Sequence, residues 1–492
     1  MKYVIGVDIG TQGTKTRLFD ERGRRLGSGF IGSKLHRPQA GVVEEDPQDQ
    51  LQSVRHALRS CISQAGVRKE DVAAVGLAGQ MAGIIGIGPD GRHVTPYDSW
   101  LDTRCANQIH QMERRAGPQI LARTGCAPSF NHGPKVLWWQ QTRPSAWKRI
   151  AVFVQPGGYV AMRLCGLPAR DAFIDNTYLH FSGFADNVRQ RWDEDLCRRF
   201  KVPIGKLPRI VAPTSVVGQM RGKEARACGL KEGTLLAAGC GDTAASFLAC
   251  RANQVGIGVD VVGTASVFAT TVATFAADMK YRVLGCGRSV APGLWHPYAY
   301  IHGGGMNLEW FRKEIASQPE FDDLNRRAAA IRAGGALPMF LPHLGGRACP
   351  NQPAMRGAWV GLEWGHTLGH LYRAVLEAVA LEYAIYQRIV LELFGPGGLR
   401  ELRITGGGEK SELWNQIKAD VLQMPVRRLA ASEGAPAGAA LVAGAAAGLW
   451  NDPGKKADEW VKLGPTVKPT RELAKWTTRR RERYEALLEQ LR

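Results

Sequence analysis

Three glycine turns hold the polar residues of this chain whose types and spacing best suit chemistry. The first is Asp8-Ile9-Gly10-Thr11-Gln12-Gly13-Thr14-Lys15, the second Gly263-Thr264-Ala265-Ser266 and the third Gly406-Gly407-Gly408-Glu409-Lys410-Ser411. Turns of this composition offer backbone N–H groups and hydroxyls, the donors that receive phosphate oxygens. Gly10, Thr11, Gly13 and Thr14 supply such donors, and Lys15 adds a cation. The third turn runs into a helical pattern, whose first N–H groups are also free for an anion. Asp8, at the end of an apolar run, is placed to hold Mg²⁺ directly or through water. Phosphoryl transfer from ATP needs these parts, together with a base near the attacking hydroxyl.

Asp242, in Gly239-Cys240-Gly241-Asp242-Thr243, is the candidate base. An aspartate between a glycine turn and a helix start is either an N-cap or a catalytic carboxylate. The two roles can coexist, since a helix N-terminus keeps a carboxylate ionised. A further grouping joins Gly79-Gln80-Met81-Ala82-Gly83 to Trp100-Leu101-Asp102-Thr103-Arg104. Gln80, Asp102 and Arg104 with Trp100 as an aromatic wall make the inventory of a sugar site. The alternative is a buried Trp beside an exposed Asp/Arg pair.

The elements that must position these residues read as α/β. Residues 3–7 and 15–19 are β-rich runs on either side of the first turn, which predicts a β-hairpin. A dinucleotide fold needs a helix after its glycine turn, and none follows here. The pattern returns at residues 255–262 and 267–272 around the second turn, so the architecture reads as duplicated. Strands are expected at 72–78, 235–238 and 399–405. Leu413, Trp414, Ile417, Val421 and Leu422 repeat at helical spacing up to Pro425, with Ser411 or Glu409 in the N-cap region. Residues 367–393 read as a core or interdomain helix. The small-residue stretch 435–448 reads as a helix packed closely against the second sheet.

A length of 492 residues implies two large domains, divided as 1–248 and 249–492. The composition, 45% hydrophobic and 22% charged, is that of a globular protein. No segment has the length and apolarity of a membrane span, and the first residues lack a cleavable signal pattern, so a cytoplasmic protein is expected. The ten cysteines are scattered singly, without metal-ligand spacing, and read as small buried residues of a reduced compartment. The net charge of +19 is spread along the whole chain, which argues against a nucleic-acid partner. Arg479-Arg480-Arg481, the one dense run, reads as a solvated helix face.

Taken together the segments resemble the FGGY family of carbohydrate kinases, and within it the xylulokinase branch. The resemblance runs from Val4-Ile5-Gly6-Val7-Asp8-Ile9-Gly10-Thr11 to Glu433-Gly434-Ala435-Pro436-Ala437-Gly438, and includes Pro134-Lys135-Val136-Leu137-Trp138. It implies two actin-like (RNase H-like) domains with ATP, Mg²⁺ and sugar meeting in the cleft between them. It implies Asp242 as general base and Asp8 near the metal and phosphates. Thr11, Gly13, Thr14 and Lys15 fall in the first phosphate loop, Gly263 and Thr264 in the second, and Gly407, Gly408 and Ser411 at the nucleotide. Gln80, Met81 and Asp102 fall in the sugar-contacting part. The expected substrate is a ketopentose such as D-xylulose; another pentulose or a polyol (ribulose, erythritol, arabinitol) is the alternative. An actin-like nucleotide switch is the reading from a different class. Dimers are common in the family, which makes a homodimer the expectation. One departure matters: the branch has a histidine where this chain has Ala82, and His132 is the candidate replacement imidazole.

Overall fold

A computed structural model describes residues 1–491. Strand β1 (Tyr3–Ile9) turns back into the antiparallel β2 (Gly13–Asp20), and β3 (Arg25–Gly32) extends the meander. On the other side of β1, β4 (Val72–Gly79) runs parallel to it. The order is completed by β5 (Val216–Gln219) and β6 (Leu235–Ala237), giving β5-β6-β4-β1-β2-β3, while the short β7 (Cys240–Gly241) pairs with the end of β4. β1 is buried along nearly its whole length, as a strand covered on both faces must be.

The same plan recurs in the second half. β8 (Ile257–Val262) and β9 (Ser266–Thr270) form an antiparallel hairpin, with β10 (Gly285–Arg288) and β11 (Trp295–Ile301) continuing beyond β9. β12 (Glu401–Gly406) lies parallel to β8, followed by β13 (Val426–Leu429) and β14 (Leu463–Val467). Each sheet is thus an antiparallel meander continued by two parallel strands and closed by an antiparallel edge strand, the duplicated pattern of an actin-like, two-domain α/β protein.

Helices cover the sheets. α1 (Pro47–Ala65) starts at Asp46, whose carboxylate accepts from the Gln48 N–H, and packs on β2 and β3. α2 (His132–Thr142) belongs to the insertion after β4, and α3 (Asp242–Ala249) begins directly at the end of β7. α4 (Leu368–Phe394) is capped by Thr367 and buries one continuous face against β8, β9 and β12 together with α5 (Glu412–Leu422). Each fully buried aliphatic side chain of that face is worth about 1.5–3 kcal/mol.

Two expectations are corrected here. α6 (Ala435–Ala446) lies on the first sheet, against β1, β4 and α3, and not on the second. The matching small residues are Gly6 and Gly76, in the first sheet. A Cβ at Gly6 would fall 1.7 Å from the Pro436 carbonyl oxygen, and one at Gly76 2.1 Å from that of Ala439. Gly438 makes the same close approach to α3, 2.0 Å from the Ala245 carbonyl. Arg480 likewise departs from the solvated reading. On α7 (Ala474–Gln490) it turns inward, paired with Glu377 and donating to the carbonyls of Leu337 and Pro338. Nine of the ten cysteines are buried and none is paired, as expected for small core residues. No helix among the described residues is long and apolar enough to cross a membrane.

Candidate active site

Three strands of the first sheet end side by side, with Ile9 opposite Gly79 and Gly79 opposite Gly241. Asp8, Gln80 and Asp242 therefore emerge together at the carboxyl ends of parallel strands, where open α/β sheets bind ligands. The β1–β2 turn is closed by reciprocal hydrogen bonds between Gly10 and Gly13, each 3.2 Å. Gly13 has to be glycine, since a Cβ there would lie 2.5 Å from the Ile31 carbonyl oxygen.

The side chains of this turn divide by direction. Lys15 is exposed. The Thr14 hydroxyl turns inward to Ser53 of α1 at 2.6 Å, and Thr14 itself is buried in β2 between Ile9 and Ile31. Thr11 accepts from the Trp100 indole N–H (2.8 Å) and donates to Gln80 Oε1 (3.2 Å). Gln80 in turn donates to Glu45 Oε1 at 2.8 Å, and Glu45 accepts from Gln50 at 3.1 Å. Thr11, Gln80 and Trp100, taken from three distant segments, thus form one hydrogen-bonded wall.

Asp242 is the first residue of α3, and the cap position falls to Gly241. Its carboxylate accepts from the Thr243 N–H (2.6 Å) and hydroxyl (3.1 Å). Burial pushes this carboxyl up to about 6 against those hydrogen bonds. Burial pushes Asp8 up to about 7, the Asp242 charge adds to the rise, and Lys15 opposes it. Asp8 Oδ1 is buried with no hydrogen-bond partner. Two buried, raised carboxyl groups, one feeling the other's charge and carrying an orphaned oxygen, are arranged for a cation and a proton acceptor. Met81 packs beneath Gly241, where a Cβ would sit 2.6 Å from its sulfur.

Asp102 and Arg104 are placed differently from a free sugar-binding pair, and the alternative of an exposed pair is not met either. Asp102 is fully buried and accepts from the Val43 N–H (2.8 Å) and from Arg104 Nε (2.9 Å). Arg104 also reaches Glu44 at 2.6 Å and lies over the Trp138 ring. Their hydrogen-bonding capacity is spent on bracing the loop that carries Trp100.

Ala82 has a left-handed backbone, φ 61°. Its carbonyl accepts from Lys135 Nζ at 2.9 Å, and the same buried ammonium holds the carbonyls of Ser99 (2.7 Å) and Phe130 (2.9 Å). His132, one turn earlier on α2, is buried beside Tyr178 and Phe181, with Nε2 unpartnered. Burial holds its imidazole well below the usual range, hence neutral.

The second turn faces the first: Gln12 Nε2 approaches Thr264 Oγ1 at 3.5 Å. Gly263 and Thr264 are exposed, and their carbonyls accept from the N–H groups of Gly305 and Met306, both at 3.0 Å. In the third turn Gly406 adopts φ 96°, and a Cβ there would meet the Val262 carbonyl at 2.2 Å. Gly408 packs on the Val262 side chain, and Gly407 borders open space. Ser411 caps α5, accepting from the Trp414 N–H at 3.3 Å. Both turns of the second half therefore converge on the end of β8.

Glu45, Lys135 and residues 303–305 escaped the functional reading of the sequence. Glu45 carries no local signal, and Lys135 stands in the Pro134–Trp138 motif without a readable role, because the Gln80, Ala82 and Ser99 groups they hold are 35 residues or more away. The Gly303-Gly304-Gly305 run after β11 was a visible signal: a Cβ at Gly304 would strike Ser266 Oγ at 1.9 Å.

Duplicated actin-like sheets, facing glycine turns and a carboxylate at a helix start define a two-domain sugar kinase. Residues 3–249 match the N-terminal domain of the FGGY family of carbohydrate kinases, and residues 258–447 match its C-terminal domain. The chain belongs to the FGGY family of carbohydrate kinases. It is 26% identical to a xylulose kinase of Bacillus subtilis over 476 residues, 95% of this chain and 93% of the relative. It is also 26% identical to a gluconokinase of Bacillus subtilis over 439 residues, 86% and 83% of the two chains. The crystal structure of a xylulose kinase from Rhodospirillum rubrum superposes with a TM-score of 0.91 at 26% identity, covering 100% of this chain and 99% of the other.

Proposed function

We propose that this carbohydrate kinase transfers the terminal phosphoryl group of ATP to a hydroxyl of a ketopentose, D-xylulose giving xylulose 5-phosphate. The observation that carries the proposal is Asp242: a carboxylate at the start of α3, held by Thr243 and pushed up to about 6, beside Asp8 with its orphaned oxygen. Asp242 accepts the proton of the attacking hydroxyl. A base whose pKa lies near the working pH performs that task best.

The remaining residues bind and orient. Backbone N–H groups inside the turns, those of Thr11 and Gln12 in the first and Thr264 in the second, receive phosphate oxygens together with Lys15, while the Gly10, Gly13 and Gly263 N–H groups close the turns. Gly407, Gly408 and Ser411 border the nucleotide. Gln80, Trp100 and Met81 form the sugar wall, while Asp102 and Arg104 hold Trp100 in place. The residues present fit Mg²⁺: Asp8 offers an unpartnered buried oxygen, and Mg²⁺ takes one or two carboxylates and fills the rest with phosphate and water. When bound, the ion neutralises charge on the phosphates. Ala82 removes a side-chain donor from the sugar wall, which favours a related pentulose or polyol as the second reading. A division near residue 249, a cytoplasmic location and a homodimer complete the proposal.

The test is an ADP-release assay over ketoses, aldoses and polyols, with Asp242→Asn alongside. Turnover on D-xylulose that collapses in the variant supports the reading; turnover on another sugar keeps the mechanism and moves the substrate. Sugar-independent hydrolysis untouched by the substitution overturns it in favour of a nucleotide switch.

A further inference from the structure

Among the described residues, nothing beyond its own turn holds the Asp242 side chain: the carboxylate accepts from the Thr243 N–H and hydroxyl alone. Its place in the cleft is therefore set by the backbone that delivers it, and that backbone has little support of its own. β7 is two residues long and pairs with the end of β4. Gly241 has no side chain to anchor it, since Met81 fills the space that a Cβ would take.

Two adjacent side chains from a distant segment grip the strand ends instead. Thr177 and Tyr178 lie on the single-turn helix Asn176–Phe181. The Gly241 N–H donates to the hydroxyl of Thr177, 64 residues earlier, at 3.0 Å. On the neighbouring strand end, the Gly79 carbonyl accepts from the Tyr178 hydroxyl at 2.8 Å. A threonine hydroxyl has one proton and rotates to suit its partners. Here that proton goes to Asp175 Oδ1, which also accepts from the Thr177 N–H at 2.9 Å. With the proton committed, a lone pair is left for Gly241. Asp175 and Thr177 are both buried, and Asp175 ends a strand, Phe173–Asp175, that pairs in parallel with Arg209–Val211. The grip thus rests on a braced element.

We propose that Thr177, aligned by Asp175, is a positioning residue for the proton transfer to Asp242. The chain from Asp175 through Thr177 to the Gly241 N–H fixes the peptide from which Asp242 reaches the attacking hydroxyl. The inference rests on Asp242 being the base, as proposed above. It works through geometry and not through charge, because burial and Thr243 account for where Asp242 titrates. Without the Thr177 hydroxyl, the buried Gly241 N–H loses its acceptor and the peptide must shift to find another. A displacement of about 1 Å at a reacting group can cost as much as a hundredfold in rate.

Single-turnover phosphoryl transfer reads the chemical step, with enzyme in excess over the sugar that the ADP-release panel selects and ATP saturating. Rates are counted per ADP-binding molecule, so that misfolded protein is not scored. Thr177→Val slows transfer by about ten- to a hundredfold, while the Kd values for sugar and ATP stay within about threefold. Thr177→Ser keeps the hydroxyl and restores the rate to within about threefold. Asp175→Ala also slows transfer, and the double variant is no slower than Thr177→Val alone, since both act through one hydrogen bond. Thr177→Ala removes the hydroxyl without pressing a second methyl on the Gly241 N–H, which keeps the test decisive if the valine variant folds poorly. A native rate in the hydroxyl-free variants, a serine variant as slow as the valine one, or a matching loss of sugar affinity overturns the proposal. Losses that multiply in the double variant overturn the part given to Asp175. Absence of sugar-dependent turnover in the native chain overturns the proposed function, and this inference with it.

Discussion

Asp8 and Asp260 stand at matching places in the two halves of the molecule. Each is a buried carboxylate on the first strand of its hairpin, two or three residues before a Gly-Thr turn. Asp260 accepts from the Tyr383 hydroxyl at 2.6 Å and is paired with Lys418, both fully buried. Asp8 keeps one oxygen without a partner, and burial pushes it up to about 7. Duplication supplied the same backbone twice, but only one copy was left unsatisfied. A buried polar group with no partner marks where a ligand belongs; a satisfied one marks structure.

The largest expected effect comes from the group that Asp8 senses. Asp242→Asn lowers kcat by about a thousandfold while the fold is retained, as removal of a general base does. A steady-state assay with circular dichroism as control checks this; a loss below about tenfold would show that Asp242 is no base. Asp260→Ala has its effect on stability instead. It strands the Lys418 ammonium in the core and costs about 3–5 kcal/mol, read by denaturant unfolding. Adding Lys418→Met recovers much of that loss, and failure of this rescue would break the structural reading of Asp260.

Asp8→Asn sharpens the contrast, because it should lower turnover, by less than Asp242→Asn does, and yet stabilise the apo-protein. The folded-state carboxyl of Asp8 titrates above its ordinary value, so the folded state binds more protons than the unfolded one between about pH 4 and 7. Its stabilising contribution is complete below that window and is lost as pH rises through about 7. The amide variant should gain about 1–2 kcal/mol at pH 8 and nothing at pH 4. Melting curves at the two pH values decide it, with an equal shift at both refuting the assignment. The smallest effect is on the pH profile: kcat/KM should rise with pH through about 6 as Asp242 ionises. A flat profile from pH 5 to 7 would contradict the base assignment.

Much of this was legible in the chain because it is local. Apolar alternation around Gly10–Gly13 and Gly263–Thr264 specifies hairpins, and Ser411 before a helical pattern specifies a cap. Each feature depends on neighbours within a few residues. The sequence also brought Asp8, Gln80 and Asp242 forward as candidates, since each follows an apolar run and sits at a glycine turn. It did not show that Asp102 and Arg104 spend themselves on one another. That depends on Val43 and Glu44, about 60 residues earlier in the chain.

What sequence alone determined, then, is the set of turns and the identity of the chemical groups, because backbone propensity and side-chain type act locally. Only the tertiary structure decided which carboxylate is satisfied and which is not, and on which sheet α6 rests. Those outcomes are set by contacts between distant segments: Gly6 and Gly76 with α6, Asp260 with Lys418, Gln12 with Thr264. Burial and pairing are properties of the assembled core, and no stretch of chain carries them by itself.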